Sequence, residues 1–220
     1  MRNAIVRIVF FIVAAASLGC ASKPTTDPAQ GAPSPVGLRP LERMAGQEVV
    51  VFPVQYISGT DTLGWQQRIP NRAAFLANLD NQIEAALTAR GLGQTWTFAN
   101  EVERASKLNS IVMKDARSLS AEWLRGRLTA DQTVRDPLAS QVRALVGLKG
   151  QRYAILPVEL RTENRGAAGM GVAILRVVLI DSRMAQLKWV TEIPSDPTRT
   201  FSPALTASIA SRFADLVLAP

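Results

Sequence analysis

GVAILRVVLID, residues 171–181, decides the fold. A strand turns successive side chains to opposite faces, so a surface strand alternates apolar and polar residues. Here both faces are apolar apart from Arg176, which marks a central strand covered on both sides. Residues 186–193, QLKWVTEI, follow after Ser182-Arg183-Met184-Ala185 and complete a hairpin with it. Upstream, Tyr153–Arg161 (YAILPVELR) is another strand, with Ala154, Leu156, Val158 and Leu160 at alternate positions on one face. Gly166-Ala-Ala-Gly-Met-Gly171 lies between the two. It leads into a strand, whereas a phosphate cradle needs the free N–H groups of a following helix, so it reads as a connection.

The remaining elements fall into place around this hairpin. Val49–Tyr56 (VVVFPVQY) is β-branched and aromatic, and Pro53, having no N–H, must sit at an edge, an end or a bulge. Residues 57–70 read as a loop. Asn71 is an N-cap for a helix with Phe75, Leu76, Leu79, Ile83, Ala86 and Leu87 on one stripe. Gly91 ends that helix in the left-handed conformation, and Leu92 folds back over its last turn. Thr95–Phe98 is a short strand, and Asn100 is expected to cap a helix reaching Leu108. Residues 110–135 include Ser120–Leu128, which has helical spacing broken by Gly126. Asp136-Pro137 starts a helix striped by Leu138, Val142, Leu145 and Val146, and Ser202-Pro203 starts one striped by Leu205, Ile209, Phe213, Leu216 and Val217. The order is β-α-β-α-α-β-β-β-α: a mixed α/β domain with a small sheet and flanking helices, expected to span 48–218.

The amino terminus gives an address. Arg2 and Arg7 precede the uncharged apolar run Ile8–Ala16, and Ser17-Leu18-Gly19-Cys20 follows. Basic, apolar and small residues in that order make a secretory signal over 1–19, and the run is too short to span a bilayer. Ser17–Cys20 resembles the bacterial lipoprotein box. The resemblance implies cleavage after Gly19, a diacylglyceryl thioether on Cys20 and acylation of the new amino terminus. Ala21 is not the aspartate that resembles an inner-membrane retention signal, so the outer membrane, periplasmic face, is the expected site. Stable anchoring takes more than one acyl chain, which this modification supplies. Residues 20–47 form the expected tether: Pro24, Pro28, Pro33, Pro35 and Pro40 among small and polar residues cannot bury enough apolar surface to order themselves. A flexible chain of that kind reaches about 25–30 Å.

Composition narrows the chemistry. Cleavage after Gly19 leaves 201 of 220 residues and removes two arginines, so 23 basic against 18 acidic residues give a net charge of +5. The basic residues are scattered, and an exported chain meets little nucleic acid, so no nucleic-acid partner is expected. Cys20 is the sole cysteine, so no disulfide can form within the chain. There is no histidine, which removes Ser-His-Asp triads and histidine metal sites. No cofactor or metal is expected. Glu101 and Glu103 lie two apart on one helix and point apart, and Asp181 and Glu192 stand at hairpin ends; neither pair is placed for acid–base work. Trp65, in a polar loop, is the one aromatic side chain expected to meet a partner.

The series Val49–Val54, Leu79–Leu87, Thr95–Phe98, Tyr153–Leu156, the hairpin Val172–Trp189 and the closing helix resembles one α/β domain. It is shared by the curli-secretion lipoproteins, the lipoprotein activators of penicillin-binding proteins and the N-terminal domain of the TolB periplasmic protein. The chain departs from that group at its hairpin turn, Arg183-Met184, and in the insert 110–135. The resemblance implies a non-enzymatic module binding an envelope protein or assembling with itself. An activator of peptidoglycan synthesis, a secretion-pore subunit and an envelope enzyme are the other readings. A pore needs spanning strands of about 9–11 alternating residues, which neither 57–70 nor 110–135 offers.

Overall fold

The computed structural model describes residues 39–165 and 169–219. The signal, Cys20, the tether up to Leu38 and Gly166–Ala168 lie outside the described residues. Ten elements follow in order: β1 (Val49–Val51), β2 (Tyr56–Ile57), α1 (Arg72–Ala89), β3 (Trp96–Thr97), α2 (Ala99–Leu108), α3 (Leu138–Gly147), β4 (Tyr153–Asn164), β5 (Gly171–Asp181), β6 (Gln186–Pro194) and α4 (Pro203–Asp215). The strands form one mixed sheet in the order β3-β1-β4-β5-β6, with β2 also paired to β4. β1 runs parallel to both β3 and β4, while β4, β5 and β6 are antiparallel. The α/β class and the element order agree with the sequence, and β5 lies between two strands as its two apolar faces require.

Proline splits the first strand. β1 and β2 both pair with β4 in parallel, Val49 opposite Tyr153 and Tyr56 opposite Glu159. Pro53 stands in the gap, where no ladder donor is needed. Each face of the sheet carries its own core. Leu79, Ile83 and Leu87 of α1 and Ile209 and Phe213 of α4 pack with Val51, Ile155, Leu175 and Val177 on one face. On the other, Val142, Leu145 and Val146 of α3 and Leu119, Leu124 and Val134 of the insert pack with Val50, Phe52, Leu156, Val178 and Ile180.

Local signals act as expected at several ends. Asn71 Oδ1 accepts from the Ala74 amide at 2.9 Å, and Gly91 has φ 84°. At α3 the start falls one residue later than expected: Pro137 holds the cap position and the helix begins at Leu138, while Asp136 Oδ1 accepts from the amide and hydroxyl of Ser140 at 3.0 and 2.6 Å.

Four further expectations are corrected. Asn100 does not cap α2: Phe98 holds the cap position, and the Asn100 amide donates to Asn81 and Glu84 of α1. Ser120–Leu128 is not a helix beyond the 3-10 turn Glu122–Arg125, since Gly126 adopts extended backbone. Leu160 leaves the face shared by Ala154, Leu156 and Val158, because the register shifts between Pro157 and Glu159 and reverses the alternation. The folded chain also starts earlier than residue 48. Leu41 is fully buried, its amide donates to Leu216 O at 3.0 Å, and the Trp96 indole reaches Met44 O at 3.3 Å.

Candidate functional site

The bulge at Pro157–Glu159 has a chemical consequence. It turns Glu159 to the same face as Arg176, its direct neighbour on β5, and Arg176 stands opposite Glu192 on β6. Arg161, two residues along β4, meets Glu192 at 2.9 and 2.6 Å and Glu163 at 2.8 Å. Arg125 arrives from the insert, pairs with Glu159 at 2.5 Å and lies 5.6 Å from the centre of the Tyr56 ring. The Arg176 guanidinium donates to three carbonyls of the insert, Leu124, Arg125 and Gly126. Alternating charge across three strands thus holds the insert to the end of the sheet. Hydrogen bonds from Arg161, with burial opposing them, hold the Glu192 pKa below its ordinary value. Burial, reinforced by Glu122, pushes the Tyr56 hydroxyl up to about 12, and that hydroxyl donates to Leu119 O.

A second polar cluster is sealed inside. Asp80 of α1 is only 3% exposed. Its Oδ1 accepts from the Val54 amide at 2.9 Å, just past β1, and its Oδ2 lies 2.8 Å from the Arg117 guanidinium. Arg117 also donates to Glu103 of α2. Burial pushes the Asp80 carboxyl up to about 6, against the lowering effects of Val54 and Arg117. Burial also works against the Arg117 charge, but Glu103 and Asp80 more than offset it and raise its pKa. Beside them, Gln55 donates to Ala116 O and accepts from the Leu119 amide, both at 2.9 Å. These groups clasp the insert between α1, α2 and the strand, and the Asp80 side chain is left 1% exposed. The acid has the raised pKa of a general acid without the access a substrate would need.

An open hollow of about 490 Å³ lies at the far end of β4, bordered by Ser58, Thr60, Arg161 and Glu163. Its charged groups are the paired ones above. Another, of about 330 Å³, lies by Gln47, Gln151 and Arg152, where Arg152 is paired with Asp181 at 2.9 and 2.5 Å. Among the described residues no group of three acidic, cysteine or histidine side chains could hold a metal ion. No helix among them is long and apolar enough to cross a membrane.

No family model matches the chain, and no curated protein matches it. Solved structures do. A PelC dodecamer from Paraburkholderia phytofirmans is 12% identical and matches over 80% of this chain and 91% of that one, with a TM-score of 0.38. The LpoB C-terminal domain from Salmonella enterica is 13% identical over 71% and 93%, at 0.36. A lipoprotein from Neisseria meningitidis is 16% identical over 76% and 94%, also at 0.36.

Of the residues singled out in the sequence, Gly19 and Cys20 lie outside the described residues. Trp65 is corrected: it is 4% exposed and offers a partner no face. Its ring packs on Phe201, 6.0 Å between centres, in the core over α1 and α4. Asp61 folds the polar loop inward by accepting from the amides of Leu63 and Gln66 and the hydroxyl of Thr162. Gly171 admits the ring, since a Cβ there would come within 2.7 Å of the indole and would strike Leu63. Gly171→Val is therefore expected to cost roughly 1–3 kcal/mol by overpacking, read by urea unfolding. Unchanged stability would mean that Trp65 is free to move aside.

What sequence reasoning missed is exposed. Leu108, Ile111 and Val112 are 80%, 99% and 78% exposed, three large apolar side chains within five residues. The signal was present in LNSIVM, residues 108–113, where the helical stripe ends but the apolar residues continue.

Proposed function

We propose that the chain is a non-enzymatic binding module of the bacterial envelope, tethered by acylated Cys20 to the periplasmic face of the outer membrane. It recognises an envelope protein or a second copy of itself. The observation that carries this reading is the sequence Ser17-Leu18-Gly19-Cys20 behind a basic start and an apolar run. The folded domain supports it. The buried charges described above are occupied in holding the insert and the sheet together.

Mass spectrometry of the protein extracted from membranes tests the anchor. The expected result is a chain starting at Cys20 and carrying a diacylglyceryl thioether and an amino-terminal acyl group. In cells, Cys20→Ala is expected to abolish both acyl additions and the cleavage after Gly19, leaving a chain that keeps residues 1–19 and its apolar run Ile8–Ala16. A mature chain with an unmodified Cys20 sinks the reading. Light scattering of the lipidated protein beside residues 21–220 then separates self-assembly from a monomeric module.

A further inference from the structure

We propose that the turn after α2 is a membrane-docking tip, in which Leu108, Ile111 and Val112 enter an anionic lipid surface and Arg104, Lys107 and Lys114 meet its phosphates. The three apolar side chains are three of the five large hydrophobics that are exposed among the described residues. Ile111, at 99% exposure, has almost nothing beside it, so the tip is a protrusion and not the wall of a groove. A protein partner would have to supply a matching pocket, whereas a bilayer accepts a protruding apolar side chain without one.

The charge around the tip suits lipid headgroups. Between residues 103 and 117 the cations are Arg104, Lys107, Lys114 and Arg117, and the anions are Glu103 and Asp115. Arg117 and Glu103 are bound to each other at the base, and Lys107 is 3.8 Å from Glu103 while remaining largely exposed. Arg104 and Lys114 are exposed and, among the described residues, form no ion pair. Cations beside an inserted apolar cluster attract anionic headgroups through a range of about one Debye length.

The tip is also held rigidly, which lowers the ordering cost of insertion. Asn109 ends the helix by donating its side-chain amide to Ala105 O, and its own carbonyl accepts from the amides of Val112 and Met113. Met113 is half-buried against the core beneath. Ser106 Oγ, accepting from the Ala116 amide, and Arg117, gripping Glu103 and Asp80, fasten the returning chain. In its setting this proposal rests on the anchor reading: acylated Cys20 would keep the tip at high effective concentration near the bilayer.

The test uses residues 21–220, without lipid, so that the tip is judged apart from the anchor. The fold of this fragment is checked first by near-ultraviolet circular dichroism. Flotation with vesicles of phosphatidylethanolamine and phosphatidylglycerol is compared with phosphatidylcholine vesicles. The expected result is binding that prefers the anionic vesicles and weakens with salt. The double variant Ile111→Asp/Val112→Asp should weaken it at least about tenfold, and Lys114→Glu should remove much of the anionic preference. Near-ultraviolet circular dichroism confirms that the variants fold, as exposed positions allow. Wild-type protein that fails to float, or a double variant that floats equally well, overturns the proposal. So does a wild-type dimer, seen by light scattering, that the double variant dissolves while vesicle binding persists; the tip would then belong to a second copy. The mass of Cys20 decides the anchor independently.

Discussion

Arg117→Ala is expected to lower the unfolding free energy near neutral pH by roughly 3–5 kcal/mol, the cost of leaving a buried partner charge alone. Arg117 is the only cation paired with Asp80 among the described residues, and Asp80 sits sealed between α1 and the end of β1. The same substitution frees Glu103 and loosens the base of the insert. Its pH dependence has a definite sign. The folded-state pKa of Asp80 is raised from 3.8 to about 6, so the folded protein holds that proton at higher pH than the unfolded chain does. The stability Asp80 contributes is fully present below 3.8 and is lost as pH rises through about 6. Without Arg117 the carboxyl holds its proton to still higher pH. The deficit of the variant should therefore be largest at neutral and alkaline pH and should shrink below about 6, where wild-type Asp80 is also protonated.

Asp61, Asp181 and Glu192 have depressed pKa values and favour stability at higher pH, opposite in sign. They are common to both proteins and cancel when variant and wild type are compared at each pH. Urea unfolding over a pH series makes that comparison. A deficit that stays constant with pH would assign the effect to the Glu103 contact instead. Asp80→Asn should likewise erase the loss of wild-type stability between 3.8 and about 6.

The elements were legible where local chemistry decides them. Apolar residues on both faces of residues 171–181 placed β5 at the interior of the sheet, and Asn71, Gly91 and Ser202-Pro203 marked helix ends because caps are local. What failed to show depends on distant partners. Nothing near Asp80 in sequence distinguishes it from a solvated charge on a helix; only Val54 and Arg117, far along the chain, make it a buried one. The insert lacks regular elements beyond one short turn, yet Gln55, Arg176 and Tyr56 bind its carbonyls and amides from the sheet. Trp65 looked like a free aromatic because its host is a missing side chain, that of Gly171. Leu41 looked like tether because the acceptor of its amide, Leu216 O, lies at the other end of the chain.

That last contact makes Phe213→Ala the second large effect. Phe213 is fully buried at the end of α4, in the layer formed with α1. Truncating an enclosed phenyl ring costs roughly 3–5 kcal/mol, transfer and cavity together, and should lower Tm by about 10 °C for a domain of this size. The loss should also be uneven. Just beyond Phe213, Leu216 O accepts from the Leu41 amide, and Arg90 of α1 pairs with Asp215 at 2.6 Å and donates to Leu218 O. These contacts fix the first described residues to the end of α4. Filling the cavity by a shift of α4 would pull them apart while β4 and β5, hydrogen-bonded along their length, keep their ladder. Hydrogen exchange should therefore accelerate more at Leu41 than at Ile155 or Leu179. Equal acceleration at all three would mean that the Leu41 contact opens only when the whole domain unfolds.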